Sequence, residues 1–309
     1  MTTSAHIRNY NWNDLEPLTL LFNTINGLSG TEKAYDSELL AERLSQPPCR
    51  PEEDCFLAES QESLVGFALL CAEPRINRAI VMGGVLESHR NQGIGLRLLK
   101  TMEDRARKQH ASVLQMQLPT DDTDARRALE SDGFEVVSKY WQMRWEDDEV
   151  PSLNLPDGHS LRSFSIGEDE LTLTELQNAA FGENWGFCPN TVEEISARVR
   201  SKLCDPKGII FLVDGDQPVA YNWTLRASNS KASIGWISMT GAHPDHRGKG
   251  LGTAAVVAGM DYLKAKGVDG IELEVDADNA PAREMYLKLG FEKVASTVWY
   301  EKRLNSAPS

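Results

Sequence analysis

The sequence predicts an α/β protein with a mixed sheet, built from one structural unit that occurs twice. Two segments align without a gap, residues 85–95 (VLESHRNQGIG) and residues 242–252 (AHPDHRGKGLG). They lie 157 residues apart (242 minus 85), and Gly133 and Gly290 keep the same separation. A spacing held from a glycine-rich turn to the end of a later helix predicts a duplicated fold rather than a chance match.

The length supports two domains. A chain of 309 residues is long for one core and sufficient for two domains of about 150 residues each. Near the middle, an acidic stretch with two prolines and no periodicity is typical of a linker. We therefore predict an N-terminal domain over 1–147, a linker over 148–158 and a C-terminal domain over 159–309.

Each half opens in the same order. A similar pair of residues, Ile7-Arg8 or Leu161-Arg162, comes first. Two helices follow, predicted over 13–26 and 36–44 in the first half and over 168–180 and 191–203 in the second. Short apolar runs at 55–59 and 209–213 then pass through polar turns into a second apolar run, which indicates a hairpin.

Each half also closes in the same order. A third strand, 80–85 or 234–242, enters the glycine turn. The second half continues with an amphipathic helix, a strand, a helix and a closing strand, predicted over 251–266, 270–275, 279–289 and 291–303. Hairpins come first and helices alternate with strands later, so the sheet is predicted to be mixed rather than all parallel.

The net charge of the chain limits the classes of molecule that it is expected to bind. A formal net charge of −14 and a pI near 4.9 disfavour nucleic acid and anionic membranes. Such a surface suits a cationic or amine-bearing substrate, and it equally suits a protein that only needs to stay dissolved.

The five cysteines are odd in number and none has CxxC spacing, so we expect neither a disulfide framework nor a metal site. A reducing cytoplasm fits this cysteine usage best. The N-terminus has no basic flank and no apolar run, and no stretch approaches 18 apolar residues. We expect no signal peptide and no membrane span.

The turn before residue 251 has the chemistry of an anion site. A strand, a turn and a helix place backbone N–H groups at the positive end of the helix dipole. Glycines let the backbone approach a phosphate closely, although glycines needed only for packing would give the same pattern. The segment is not GxxxxGK[ST], and it lacks the third glycine and the preceding βαβ unit of a dinucleotide-binding loop.

Two segments of the second half carry a family resemblance. Residues 244–252 (PDHRGKGLG) resemble the acetyl-CoA signature of the GNAT N-acetyltransferase superfamily, and residues 273–291 (LEVDADNAPAREMYLKLGF) resemble its second motif. The likeness covers both halves, so the chain looks like two tandem GNAT acyl-CoA N-acyltransferase domains. Its two-domain organisation is similar to that of the mycothiol synthases, and its second motif to that of ribosomal-protein alanine acetyltransferases.

The resemblance implies acetyl-CoA as cosubstrate and assigns residues to it. The turn would hold the pyrophosphate, the strand before it would pair with the pantetheine arm, and the asparagine that caps the last helix would also reach the coenzyme. The residues are Thr240, Gly241, Ala242, Arg247, Gly248, Lys249, Gly250, Leu251, Gly252, Thr253 and Asn279. In the first half the matching turn offers Val85, Arg90, Gly93 and Gly95.

The resemblance also implies direct attack of a primary amine on the thioester. Tyr286 occupies the place of the family's general acid, which protonates the leaving thiolate. Glu274 occupies the place of the base in the alanine acetyltransferases, and His243 is its rival. Each of these residues also has a non-catalytic alternative. Tyr286 could pack its ring in the core, and Glu274 and His243 could be solvated surface groups.

The first half departs from the pattern. With the same 157-residue offset, Leu129 stands in place of Tyr286, Asp122 in place of Asn279 and Glu87 in place of Pro244. A leucine cannot donate a proton. We expect the N-terminal domain either to bind acyl-CoA without turnover or to serve as a structural partner.

Two alternatives and several acceptors stay open at this stage. The chain could be a non-catalytic acyl-CoA-binding or scaffold protein, or it could transfer acetyl to a hydroxyl, because acceptor choice resides in other loops. Small amines, aminoglycoside-like cations, a thiol-precursor amine and peptide N-termini all remain candidate acceptors. The acyl-chain preference and the oligomeric state are likewise open.

Overall fold

The computed structural model describes residues 5–28, 34–226 and 234–304. The chain divides into two compact units: unit 1 comprises residues 1–139 and 297–309, and unit 2 comprises residues 140–296.

Unit 1 is built from the first half of the chain and the last strand. Its helices are α1 (Leu15–Ile25), α2 (Ser37–Ser45), α3 (Pro51–Asp54), α4 (Ile94–Lys108) and α5 (Thr123–Ser131). Its strands follow the order β1 (His6–Asn9), β2 (Cys55–Ser60), β3 (Ser63–Glu73), β4 (Arg78–Val85), β5 (Val113–Pro119) and β12 (Glu292–Arg303, from Thr297 onward).

Unit 2 repeats this plan. Its helices are α6 (Glu170–Phe181), α7 (Val192–Val199), α8 (Leu251–Ala265) and α9 (Ala280–Lys288). Its strands follow the order β7 (His159–Ser163), β8 (Ile209–Asp214), β9 (Gln217–Arg226), β10 (Ile234–Ala242), β11 (Gly270–Asp276) and β6 (Glu135–Trp145, from Tyr140 onward).

The strands of each unit run in both directions, so the predicted mixed α/β sheet is confirmed. In unit 2, β10 pairs in parallel with β11, whereas the neighbouring pairs are antiparallel. In unit 1, β4 and β5 form the matching parallel pair. The helices lie where the periodicity places them, within a few residues at most ends.

The last strand of each half belongs to the other unit. Tyr140–Trp145 of β6 pairs with β11 in unit 2, and Thr297–Arg303 of β12 pairs with β5 in unit 1. Trp145 and Tyr300 are fully buried in these positions. The domain ranges predicted from the sequence follow the order of the chain, whereas the compact units exchange these strands.

The exchange has a simple physical basis. β6 and β12 occupy the same position of the repeat, 157 residues apart, and strands pair mainly through backbone groups that every residue carries. Either strand therefore fits either sheet edge as far as hydrogen bonding is concerned.

The helices of each unit flank its sheet. In unit 1, α4 and α5 side chains pack in one apolar cluster and α1 and α2 side chains in another. None of the helices in the described ranges combines the length and apolar character that crossing a membrane requires.

Candidate active site

The glycine turn of unit 2 links β10 to α8. Between them Gly248 has φ +76° and Gly250 has φ +81°, in the left-handed region that favours glycine. A Cβ at either position would have no atom within 4 Å. The backbone conformation, and not a lack of space, therefore explains these two glycines.

The turn leaves a run of backbone N–H groups without partners. Within the described part of the chain, no hydrogen bond uses the N–H groups from Gly248 to Thr253, and no side chain caps α8. The N–H of Arg247, which we predicted to belong to this run, donates to Pro244 O at 3.2 Å. Free N–H groups at the positive end of a 15-residue helix form an anion site.

Two basic side chains of the turn differ in their surroundings. Arg247 donates to Ala180 O at 2.8 Å, so it ties the turn to the C-terminal end of α6. Lys249 is exposed and forms no ion pair among the described residues. Its ammonium group is available to an anion held by the turn.

Gly241 is required by close packing. A Cβ there would lie 2.9 Å from Ala180 Cβ and 3.0 Å from Phe181 Cε2. Glycine therefore lets the end of α6 lie directly against β10, which places the residues after Phe181 close to the turn.

An opening between β10 and β11 begins just before the turn. The two strands pair only at 234–236 with 270–272, although β10 continues to Ala242 and β11 to Asp276. Beyond this point β10 pairs with β9 alone, and a bulge shifts that ladder between Ile237 and Met239. The edge of β10 that carries Thr240, Gly241 and Ala242 is therefore available to an extended ligand, as in β-strand addition.

Tyr286 is buried on α9. Its ring packs edge to face against Phe291, with centroids 5.7 Å apart, and only 6% of the residue is exposed. Burial raises the pKa of the Tyr286 phenol well above its usual range, because an apolar environment disfavours the phenolate. Nothing in the described chain hydrogen-bonds its hydroxyl. A phenol in this state keeps its proton.

Glu274 is exposed on β11 and has one side-chain partner. Gln142 Nε2, from β6, donates to Glu274 Oε1 at 3.0 Å. The two residues are direct neighbours in the β11–β6 ladder, and Trp141 is paired with the next residue, Val275. The sequence did not indicate Gln142, because its pairing with Glu274 depends on the strand exchange.

The remaining predicted residues have local roles. His243 Nδ1 accepts a hydrogen bond from Asp245 N at 3.3 Å, so this nitrogen caps the short 3-10 turn after β10. Asn279 Oδ1 accepts from Ala282 N at 3.2 Å, which confirms its position as the N-cap of α9.

Unit 1 has the same backbone turn with different charges around it. Gly93 has φ +76° at the start of α4, which also has no side-chain cap. The Arg90 guanidinium lies 3.8 Å from the carboxylate of Asp122, and Glu87 adds a second negative charge. In unit 2, Asn279 stands at the place of Asp122 and Lys249 adds a positive charge.

Unit 1 opens in the same way, since β4 pairs with β5 only at 78–81, but it lacks the proton-transfer side chains and the bulge of unit 2. Leu129 is buried where unit 2 has Tyr286, and Gln117 stands where unit 2 has Glu274. The 157-residue offset predicts the Gln117 equivalence directly. The β3–β4 ladder runs without a register shift from Glu73 to Gly66, so β4 has no counterpart of the bulge in β10.

A buried polar cluster lies under the end of β10 in unit 2. The side chains of Gln177 and Tyr221 are fully buried and interact with each other, and Trp223 is buried beside Cys204. Tyr221 pairs with Gly241 in the ladder. The corresponding residues of unit 1 are Phe22, Phe67 and Leu69.

The family model described as "Acetyltransferase (GNAT) family" matches residues 16–134 and 171–291. The chain belongs to the GNAT acetyltransferase family. The two matches confirm the predicted tandem arrangement of two GNAT segments.

Two curated relatives agree with this assignment. The mycothiol acetyltransferase of Pseudarthrobacter chlorophenolicus is 33% identical over 260 residues, which cover 81% of this chain and 77% of the relative. The mycothiol acetyltransferase of Arthrobacter sp. is 31% identical over 279 residues, which cover 89% of this chain and 82% of the relative.

Solved structures share the fold. A GCN5-related N-acetyltransferase from Sphaerobacter thermophilus superposes with a TM-score of 0.78 at 22% identity, covering 97% of this chain and 96% of that one. A tandem GNAT protein from the clavulanic acid biosynthesis pathway gives 0.76 at 19% identity, with 99% of both chains covered.

This GNAT protein is an acetyl-CoA-dependent N-acetyltransferase, as the resemblance predicted. Acetyl-CoA is its acetyl donor and its acceptor is a small molecule. The non-catalytic alternative finds no support in these comparisons.

Proposed function

We propose that unit 2 performs the transfer and that its acceptor is the free-amine form of mycothiol. Both turns have free N–H groups, so the observation that carries the assignment to unit 2 is its side chains. Lys249, Glu274 and Tyr286 lie where unit 1 has Gln92, Gln117 and Leu129. The acceptor is proposed from the printed names of the two relatives, which are mycothiol acetyltransferases.

In this proposal the backbone of unit 2 positions the thioester. The turn binds the pyrophosphate through its N–H groups, and Lys249 adds a charge that no described acid neutralises. The free edge of β10 at 240–242 binds the pantetheine arm, because one side of this edge has no ladder partner. The coenzyme supplies an activated acetyl group.

The two catalytic side chains divide the proton transfers. An aliphatic amine is mostly protonated at pH 7 and must lose a proton before it attacks. Glu274, oriented by Gln142, accepts that proton directly or through water. Tyr286 donates a proton to the departing thiolate. A phenol holds this proton at neutral pH, and burial raises the pKa of Tyr286 further.

Unit 1 is proposed to be non-catalytic. Leu129 and Gln117 cannot exchange protons, and the carboxylates of Glu87 and Asp122 oppose a bound pyrophosphate. Its turn would therefore bind anions more weakly than the turn of unit 2. All five cysteines are unpaired, so we also propose a reducing cytoplasmic location.

A competition assay tests the acceptor. The full chain receives acetyl-CoA with an equal mixture of desacetyl-mycothiol, an aminoglycoside, a polyamine and an alanine-terminated peptide. Products are identified by mass, because a thiol-bearing acceptor would disturb a thiol-release assay. We expect the mycothiol precursor to be acetylated with a kcat/KM at least about 100-fold above the others.

Two outcomes would contradict different parts of the proposal. Preference for the peptide or the polyamine would overturn the acceptor and leave the assignment of unit 2 intact. Transfer that persists after Tyr286 and Glu274 are both replaced would overturn the assigned catalytic residues.

A further inference from the structure

Three potential metal ligands converge beside the glycine turn of unit 2. His159, Asp214 and His246 each offer one donor atom, and these atoms lie within 4.8 Å of one another. His159 and Asp214 are directly opposite each other in the β7–β8 ladder. His246 precedes Arg247 in the short turn before α8.

Both imidazoles have a buried nitrogen without a partner. His159 Nε2 and His246 Nδ1 are inaccessible to solvent and form no hydrogen bond in the described structure. Asp214 is exposed and forms no ion pair with a described cation. Leaving two buried nitrogens unsatisfied is unfavourable, and a shared ligand would satisfy both.

The tautomer of His159 fits metal binding. His159 Nδ1 lies 3.0 Å from the carbonyl oxygen of Asp157. A carbonyl oxygen can only accept, so Nδ1 carries the hydrogen, and in the neutral ring Nε2 has the lone pair that a metal ion needs. Metal-ligating histidines commonly donate their second N–H to a carbonyl or carboxylate in this way.

The donor set selects the kind of ion. Two imidazole nitrogens and one carboxylate oxygen suit zinc and similar divalent transition metals, whereas Mg²⁺ and Ca²⁺ prefer oxygen ligands. In a tetrahedral site with bonds of about 2.1 Å, donors lie about 3.4 Å apart, so binding would draw the donor atoms together by at most about 1.4 Å. Three protein ligands leave a fourth position for water.

Unit 1 lacks two of the three ligands. In its β1–β2 ladder the residues equivalent to His159 and Asp214 are Ala5 and Ser60, and only His89 matches. His89 Nδ1 lies 2.9 Å from Ser88 Oγ. The cluster therefore occurs only in unit 2, which also carries Lys249 and the predicted general acid Tyr286.

We propose that His159, Asp214 and His246 bind one divalent transition-metal ion, with zinc as the best chemical match. The ion would fasten β7 and β8, at the edge of the sheet, to the turn that leads into α8. The cysteine pattern alone predicts no metal site. The ligands come from three separate segments of the chain, which no spacing motif reveals.

A cobalt titration tests the site. The tag-free full chain is stripped with a chelator and titrated with Co²⁺, and metal content is measured after zinc loading and dialysis. We expect one ion per chain and a visible spectrum without thiolate charge-transfer bands. Asp214→Asn and His159→Ala should each weaken Co²⁺ binding at least about 30-fold. His89→Ala, the matched change in unit 1, should leave it unchanged.

Other outcomes would overturn the proposal. These are thiolate bands in the parent spectrum, binding below one ion per chain at micromolar metal, or unchanged affinity in Asp214→Asn. Asp214→Asn keeps the size of the side chain at an exposed position, so it decides the question if His159→Ala does not fold. Circular dichroism and the melting temperature of the metal-free variants verify their folding.

Discussion

The glycine turns of units 1 and 2 share a backbone and differ in their surroundings. Both begin a 15-residue helix after a glycine with positive φ, and neither helix has a side-chain cap. Unit 2 has a bulged strand before its turn, Lys249 in the turn and Tyr286 on α9. Unit 1 has a regular ladder before its turn, Asp122 near Arg90 and Leu129 on α5. An anion cradle made of backbone can therefore persist in a copy that lacks the catalytic side chains.

The strand that leads into the turn is one residue longer in unit 2 than in unit 1, and the bulge accommodates this extra residue. The two turns are 157 residues apart. The parallel pairing starts at Arg78 with Val113 in unit 1 and at Ile234 with Gly270 in unit 2, and Arg78 and Ile234 are only 156 residues apart (234 minus 78). Unit 2 thus has one extra residue between the start of its strand and its turn. That residue produces the register shift of β10 against β9 between Ile237 and Met239.

The largest expected effect concerns the general acid Tyr286, which unit 2 has and unit 1 replaces with Leu129. Tyr286→Phe should lower kcat about 10²- to 10³-fold, because the leaving thiolate loses its proton donor. The acetyl-CoA Kd should change less than about 2-fold, since the ring and its packing remain. Steady-state rates and calorimetric titration measure the two quantities. Leu129→Met, the matched change in unit 1, should alter neither, and an unaffected kcat in Tyr286→Phe would remove the assigned role.

The same acid predicts the alkaline side of the pH profile. Loss of activity requires the Tyr286 phenol to ionise, and burial raises its pKa above the ordinary value of about 10. Because the shift is upward, kcat should show no decline from Tyr286 between pH 7 and 10. A decline with a midpoint below 10 that disappears in Tyr286→Phe would show that the phenol is not shielded as described.

A second prediction concerns the base Glu274, which is replaced by glutamine, the residue that unit 1 has at the equivalent position 117. Glu274→Gln should lower kcat/KM about 10- to 100-fold at pH 7, because the amide cannot accept a proton from the amine. The loss should shrink as the pH rises and more acceptor amine is already neutral. Gln117→Glu in unit 1 should leave the rate unchanged. A loss that does not vary with pH would indicate a binding role for Glu274.

A smaller effect tests the charge near the turn. Asn279→Asp reproduces Asp122 and should weaken acetyl-CoA binding about 3- to 10-fold, because a carboxylate would face the pyrophosphate. The change keeps an N-cap, so the melting temperature should hold. The weakening should diminish in high salt, which screens the repulsion. Equal weakening at all salt concentrations would indicate that the amide contacts the coenzyme directly.

The smallest effect concerns the backbone that the units share. Gly250→Ala and Gly93→Ala each force a side chain into a left-handed conformation and should each cost about 1 kcal/mol of stability. Denaturant unfolding measures this cost. Only Gly250→Ala should also weaken acetyl-CoA binding, so an equal effect of both variants would place a second coenzyme site in unit 1.

The sequence determined the repeat, the order of elements and the turn, because these depend on local patterns. Apolar periodicity located the helices, and glycines at 248 and 250 marked the left-handed residues before α8. The fixed offset also determined the loss of the acid at Leu129. The deciding physics in each case lies within a few neighbouring residues.

Tertiary structure alone decided how distant segments meet. The sequence could not assign β6 and β12 to their sheets, because equivalent strands present the same backbone hydrogen-bonding groups. For the same reason it could not bring Gln142 to Glu274, 132 residues away. The meeting of His159, Asp214 and His246 likewise depends on ladder register and packing, which no local pattern records.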